Sequence, residues 1–226
     1  MHVTVEHALD FVKMLEPGRN IKEFPICTAP GHSVAELYAA IAGNFSPIAL
    51  QKLRVGLSDV NVSGDMEPPP PRDLLMHIVD GAALVPLLEF SSLTKPVLEP
   101  TAGFDLDDAM AHRIAAAFPN LEKLSLISAS SLLRLHFQSP RLTLASLPVL
   151  VGGCPKLTSL AVELDAQSVS PLHRNEFGGD VSHSAPYRID LDVGYSPIRH
   201  TGAVAEFLLA VLGEISPLHA SGEWEG

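Results

Sequence analysis

Leu121-Glu-Lys-Leu-Ser-Leu126 and Leu157-Thr-Ser-Leu-Ala-Val162 are two copies of one six-residue phrase, and its repetition decides the fold. Both copies follow the pattern Leu-x-x-Leu-x-Leu closely, and each comes after a helical stretch. A phrase that recurs every few tens of residues is typical of a solenoid, in which each repeat stacks on its neighbours. The repetition therefore predicts a solenoid, an architecture that mostly serves to bind other proteins.

Four weaker copies align with these two by their central residue. The six centres are Phe24, Leu53, Pro96, Leu124, Leu160 and Leu191. The steps between these centres are 29, 43, 28, 36 and 31 residues. Because leucine-rich repeats usually run roughly 20–29 residues, the phrase predicts about six long and irregular leucine-rich repeats. Proline cannot donate a ladder hydrogen bond, so we expect a kink or gap near Pro96.

Amphipathic helix patterns alternate with the phrases. Their apolar residues recur at i, i+3, i+4 and i+7, as in Val5, Ala8, Leu9 and Val12. The predicted N-caps are Ser33 (in a capping box with Glu36), Asp107, Thr143 and Thr201. Stacked units would bury the apolar stripes between an inner parallel sheet and an outer row of helices. A doubly wound sheet is the alternative, but the repeated strand phrase favours the solenoid.

The composition limits the classes of function. The chain has 226 residues, of which 46% are hydrophobic, which is enough for a single domain over residues 1–226. Its net charge of −11 disfavours nucleic acid and anionic membranes as partners. The sequence contains no apolar run of the about 20 residues that span a bilayer, and its first residues lack the features of a signal peptide. We therefore expect an intracellular protein, cytoplasmic or nuclear, that binds neither nucleic acid nor a membrane.

Three segments depart from the repeat pattern. Residues 59–73, with four consecutive prolines, and residues 166–186, rich in Ser, His and Gly, are predicted surface loops. Residues 214–226 are predicted to form a polar cap or a frayed tail. Cys27 and Cys154 each lie inside a repeat, and we expect reduced core thiols there.

A catalytic alternative depends on Ser33. The segment Gly-His-Ser-Val-Ala at residues 31–35 nearly matches the Gly-x-Ser-x-Gly turn of serine hydrolases and lies between a predicted strand and a helix. Ala35 replaces the last glycine, however, and no oxyanion segment precedes the serine. Ser33 also has a structural role as a helix cap. The capping interpretation is therefore favoured, and we predict that the protein is not an enzyme.

The sequence offers no convincing metal site. His173, Asp180 and His183 share one loop, but their spacing matches no known zinc motif. Asp105, Asp107 and Asp108 crowd a predicted helix start, where they favour the positive end of the helix dipole. They lack the alternating oxygen ligands and the glycine of a calcium loop. We expect no metal and no cofactor.

The side chains between the strand leucines are expected to face away from the core, because side chains alternate along a strand. This outward face is predicted to be concave and to change sign along the repeats, with cations first and acids last. The predicted partner-binding residues are Lys52, Arg54, Lys95, Lys123, Ser125, Glu163, Asp190 and Asp192. We hypothesise that a protein partner with complementary bipolar charge lies along this face. A solvated surface with chance polarity is the alternative.

Several longer runs resemble a known family. They are Phe104–Ala109, Phe118–Leu124, Cys154–Leu160, Asp192–Ile198 and Ala203–Leu208. Together they resemble the repeat region of fungal F-box/leucine-rich-repeat proteins over most of the chain, from about Val5 to Leu212.

The resemblance implies a ribonuclease-inhibitor-like arc and a role as the substrate-recognition part of a ubiquitin-ligase receptor. In that family an F-box, which binds a Skp-type adaptor, precedes the repeats. This sequence contains no recognisable F-box, so the adaptor is expected as a partner only if an F-box exists outside this chain. The alternative is a stand-alone repeat protein that acts as a scaffold or inhibitor without a ligase.

Overall fold

The computed structural model of the chain describes residues 4–28, 34–57, 78–100, 102–128, 140–168 and 188–219. Its α-helices are α1 (Val5–Lys13), α2 (Ala35–Asn44), α3 (Gly81–Leu84), α4 (Asp108–Ala117), α5 (Ser146–Gly153) and α6 (Thr201–Leu212). A 3-10 helix, Val85–Glu89, continues α3. The strands are β1 (Glu23–Thr28), β2 (Lys52–Leu57), β3 (Val79–Asp80), β4 (Lys95–Glu99), β5 (Phe104–Asp105), β6 (Lys123–Leu126), β7 (Ser159–Val162), β8 (Arg188–Asp192) and β9 (Glu214–His219).

Seven of these strands form one parallel sheet, in the order β1-β2-β4-β6-β7-β8-β9. The spatial order of the strands therefore follows their order in the chain. All six predicted centres lie within strands of this sheet, and four of the five pairs of successive centres lie directly opposite each other, as in Phe24 opposite Leu53 and Leu53 opposite Pro96. Leu124 opposite Leu160 and Leu160 opposite Leu191 complete the same row. The mixed α/β class with a parallel sheet is confirmed.

One face of the sheet packs against the helices. Phe24, Leu53, Leu124, Leu160 and Leu191 are buried there, in the same hydrophobic cluster as the apolar stripes of the helices. Three of the four residues of the predicted first stripe, Val5, Ala8 and Val12 of α1, are buried, and Leu9 is half-buried. This one continuous cluster extends from α1 to α6.

A single hydrogen-bond motif recurs at the strand starts. The carbonyl oxygen of Lys22 accepts from two successive amides of the next unit, Gln51 N at 2.8 Å and Lys52 N at 3.0 Å. The carbonyl oxygens of Gln51, Thr94 and Glu122 accept from the corresponding amide pairs of the units that follow them. Four successive junctions therefore share one local geometry, even though the sequence between them varies in length.

A second line of parallel contacts links the segments that lead into the helices. It begins with the pairing of β3 with β5. It continues through isolated bridges from Asp107 to Arg141, from Thr143 to Asp165 and from Ala166 to Ile198. Successive units are thus joined at two places, once through the sheet and once ahead of the helices.

Pro96 lies inside β4 and does not interrupt it. The pairing of β2 with β4 runs without a break from Lys52–Lys95 to Gly56–Glu99. On the other side, pairing with β6 starts only at Val97 opposite Ser125. The reason is geometric: Lys123 N donates to Thr94 O, so the next bond of a parallel ladder would need a donor on Pro96, which has none. The predicted gap is thus confined to one side of the strand.

Some predicted boundaries are corrected. The N-cap position of α2 is Val34, with no side-chain hydrogen bond, and the predicted cap Ser33 lies outside the described residues. Asp107 is confirmed as the cap of α4, since its carboxylate accepts from Met110 N. Helices α5 and α6 have Ala145 and His200 at the cap positions predicted for Thr143 and Thr201.

The segment predicted as a polar cap or tail is also corrected in part. Residues Glu214–His219 form β9, which pairs in parallel with β8. The predicted loop at 59–73 lies outside the described residues, as does most of the loop at 166–186. The first residue of that loop, Ala166, is buried and bridges to Ile198.

Candidate functional site

The outward face of the sheet is the surface that sequence analysis singled out. Its exposed side chains lie mainly at the strand starts, in a row that runs across the strands. Lys52 is opposite Glu23 and Lys95 in this row, and Ser159 is opposite Lys123 and Asp190. We call the residues Glu23, Lys52, Lys95, Lys123, Ser159 and Asp190 the strand-start row. Parallel pairing in chain order places these six residues side by side near the starts of their strands.

Three of the four predicted cations of this face are already paired with acids of neighbouring units. Lys52 Nζ lies 2.6 Å from Glu23 Oε1. Lys95 Nζ lies 3.0 Å from Glu122 Oε2, and Arg54 lies 3.5 Å from Glu99 Oε2. All three are solvent-accessible pairs, which typically contribute about 0–1 kcal/mol each. The cationic half predicted for this face is therefore largely neutralised by acids on the same surface.

Lys123 is the exception. It is exposed, and it makes no ion pair with any residue that the structure describes. It occupies the middle of the strand-start row, two strands away from Asp190, or about 10 Å at ordinary strand spacing. Among the four predicted cations, Lys123 is thus the one whose charge is most available to another molecule.

The acidic half of the face is smaller than predicted. Asp190 is exposed, whereas Asp192 is half-buried and accepts a hydrogen bond from Gly194 N at 2.9 Å. Arg188, which sequence analysis did not include, is exposed at the start of the same strand. The alternation of Ile189 and Leu191 on the core side would have placed Arg188 on this face.

Ser125 and Glu163 correct the prediction more strongly. Both were expected among the partner-binding residues, but their exposed fractions are 3% and 4%. A β-carbon at Gly194 would lie only 3.0 Å from Glu163 Cγ, so the acid lies against the backbone after β8. Neither side chain can be a main contact for a partner in this arrangement.

On the outward face, the side chains in the middle and at the carboxyl ends of the strands are closely packed. Ala161 is buried between Ser125 and Asp192 in the sheet register. Glu99 fills the space beside Gly56, where an added β-carbon would lie 2.6 Å from its Oε2. The accessible charged residues of the face are therefore those of the strand-start row together with Arg54 and Arg188.

The three aspartates near α4 each have a separate structural partner. Asp105 Oδ1 pairs with Arg141 Nε, and Asp107 caps α4. The Asp108 carboxylate accepts from Thr143 N at 2.8 Å and from Thr143 Oγ1 at 2.7 Å. Within the described residues, no group of three His, Cys, Asp or Glu side chains could hold a metal ion.

The other residues considered for catalysis or metal binding cannot be placed in the structure. Ser33, His173, Asp180 and His183 all lie outside the described residues. The hydrolase hypothesis for Ser33 stays a prediction that an esterase screen with a Ser33→Ala variant would test. The histidine hypothesis likewise stays open to a metal-binding assay.

Two buried groups show the effect of desolvation. The Tyr38 hydroxyl is fully buried, finds no hydrogen-bond partner among the described residues, and has a pKa raised well above its ordinary value by burial. Burial also raises the pKa of the Cys154 thiol to about 11, and this thiol lies 3.6 Å from Phe118 O. Cys154 is thus confirmed as a core thiol, whereas Cys27 is only half-buried. Neither Tyr38 nor Cys154 reaches the outward face, so both belong to the core.

Two comparisons with known proteins found no match. No protein-family model matches the chain, and no curated protein matches it significantly. Among the described helices, none combines the length and apolar character needed to cross a membrane.

Proposed function

We propose that this chain is a leucine-rich-repeat solenoid that binds a protein partner on the outward face of its sheet and does not catalyse a reaction. Strand order supports the solenoid, because a doubly wound sheet reverses its order at a switch point and this sheet follows the chain throughout. The recurring carbonyl with two donors and the second line of bridges further support a stack of equivalent units.

The observation that carries the binding proposal is the strand-start row. In it, charged side chains from successive strands stand side by side and are solvent-accessible. Rows of this kind on the sheet of a repeat protein provide an extended surface for a partner. Lys123 supplies a cation without an ion pair among the described residues, and Asp190 supplies an acid two strands away. The partner that fits has an acid and a base about 10 Å apart.

The test begins with a photoreactive phenylalanine analogue at Ser159, between Lys123 and Asp190 in the row. A matched control carries the same analogue at Ala116, which is exposed on α4. A protein cross-linked from Ser159 but not from Ala116 is the candidate partner, and it would be purified for binding measurements.

Charge reversal then tests the role of the row. We expect Lys123→Glu to weaken binding of the purified partner by about three- to tenfold at low salt and by less at high salt, because the contact is electrostatic. The matched control is Arg113→Glu, the same charge change at an exposed position of α4. Titration calorimetry provides the measurement. Equal weakening by both variants, or none by Lys123→Glu, would contradict the proposal.

The ligase role is supported by the family resemblance alone. If it is correct, the native protein carries an F-box outside this chain, and a Skp-type adaptor co-purifies with it. Mapping the 5′ end of the native transcript tests this directly. An upstream F-box would make the outward face a substrate site, whereas its absence would favour a stand-alone scaffold or inhibitor.

A further inference from the structure

A partly enclosed cavity of about 50 Å³ lies between α6 and the preceding unit. Its walls come from the turn before α5, from the segments after β7 and β8, and from the inner side of α6. The wall residues that matter here are Leu144, Leu164, Ala166, Val193, Val204 and Leu208. The cavity is separate from the outward face, because these residues belong to the core side of the chain.

The wall offers almost no polar group to a ligand. Ser196 is part of the wall, but its hydroxyl accepts from Leu164 N at 2.8 Å and donates to Val193 O. Its one proton is therefore already committed within the protein. Buried water needs two to four polar partners, and apolar cavities stay dry and bind apolar molecules. The lining thus disfavours water and favours an uncharged aliphatic group.

The cavity also has an entrance. Thr201 and Ala205 line it on one side of α6, and Ala205 is exposed while Thr201 is half-buried. One water-sized group needs roughly 10–15 Å³ by this measure of volume. The cavity can accordingly hold about four such groups.

From this lining, entrance and size, we propose that the cavity is a binding site for a small uncharged aliphatic ligand of about four carbons, such as a branched alcohol. The contacts are dispersion contacts with the leucine and valine side chains of the wall. Affinity is modest, with a dissociation constant on the order of millimolar, because few methyl groups are buried. The site does not depend on the partner proposed for the outward face.

The test uses the full chain with labelled leucine and valine methyl groups, observed by NMR. Xenon probes the apolar space, and isobutanol probes the ligand class. Both are expected to cause saturable shifts in the methyl groups of Leu144, Leu164, Val193, Val204 and Leu208. Isobutyrate, which has the same carbon skeleton with a charge, is expected to cause none.

Two variants make the assignment specific. Ala166→Leu adds side-chain carbons inside the cavity and is expected to abolish the shifts from both probes. Val204→Ala enlarges the cavity and is expected to tighten isobutanol binding several-fold, which keeps the test decisive if Ala166→Leu fails to fold. Three outcomes would overturn the proposal: shifts spread over the methyl groups of the whole chain, xenon binding without isobutanol binding, or isobutanol binding that neither variant changes.

Discussion

The two regions where the α5 unit meets its neighbours differ sharply in packing. Between α4 and α5, Gly153 lies so close to Ala115 that an added β-carbon would be 2.7 Å from Ala115 Cβ. The Asp108–Thr143 hydrogen bonds join the same two units. Between α6 and the turn that precedes α5 there is instead a cavity, with Ser196 bridging the segments after β7 and β8. A regular sheet therefore does not impose equally tight packing on the helices behind it.

Removing the Ser196 hydroxyl is expected to have the largest effect. Ser196→Ala leaves the buried Leu164 amide without its acceptor, which should lower the free energy of unfolding by about 2–3 kcal/mol. Urea unfolding measures this loss, and hydrogen exchange should rise first in β8 and α6. The matched control is Ser92→Ala, which removes a serine bond to Ile48 O of an earlier unit at an exposed site. An equal loss in both variants would show that the bridge after β8 has no special role.

The tight packing between α4 and α5 can be tested by substituting two adjacent glycines of α5. Gly153→Ala should destabilise the protein by about 1–2 kcal/mol, because the added methyl group overlaps Ala115. Gly152→Ala is the matched control, since nothing lies within 4 Å of its added β-carbon. That variant should be neutral or stabilise by up to about 1 kcal/mol through helix propensity. Thermal unfolding that moves in the same direction for both variants would contradict the difference in packing.

The smallest expected effect is a pH dependence of the free energy of unfolding, which arises from Cys154 at the end of α5. Cys154 is held as a neutral thiol, with a pKa raised from its ordinary value near 9 to about 11. Its contribution to stability is therefore complete below pH 9 and is lost progressively as the pH rises from 9 to 11. Urea midpoints of the wild type should fall more steeply than those of Cys154→Ala between pH 9 and 10. Parallel curves would mean that the thiol is not desolvated.

Most of the sheet could be predicted because its signal is local. The strand phrase places an apolar residue at each centre, and even Pro96 marks a real strand, since a parallel neighbour on one side does not need its missing donor. The last strand was missed because Glu214–His219 follows α6 directly and contains a proline. Its pairing depends on β8, which a local pattern does not contain.

The candidate site was less predictable because its properties arise from register and packing. Alternation correctly placed Lys52, Lys95 and Lys123 on the outward face. It could not predict that Glu23 and Glu122 would neutralise two of these lysines, because each pair joins residues on neighbouring units. Nor could it predict the burial of Ser125 and Glu163, which depends on side chains from adjacent strands. The cavity beside α6 likewise results from how two units fit together.

Pro25 affects how the sheet meets other polypeptides. It lies in β1, an edge strand of the described sheet, opposite Arg54. Lys52 N donates to Lys22 O, and the alternation of a parallel ladder then turns the Pro25 nitrogen towards the open edge. A further strand that paired with this edge would find no backbone donor at Pro25, in the middle of β1. Pro25 therefore leaves pairing with β2 intact and disfavours the addition of strands from other molecules at the β1 edge.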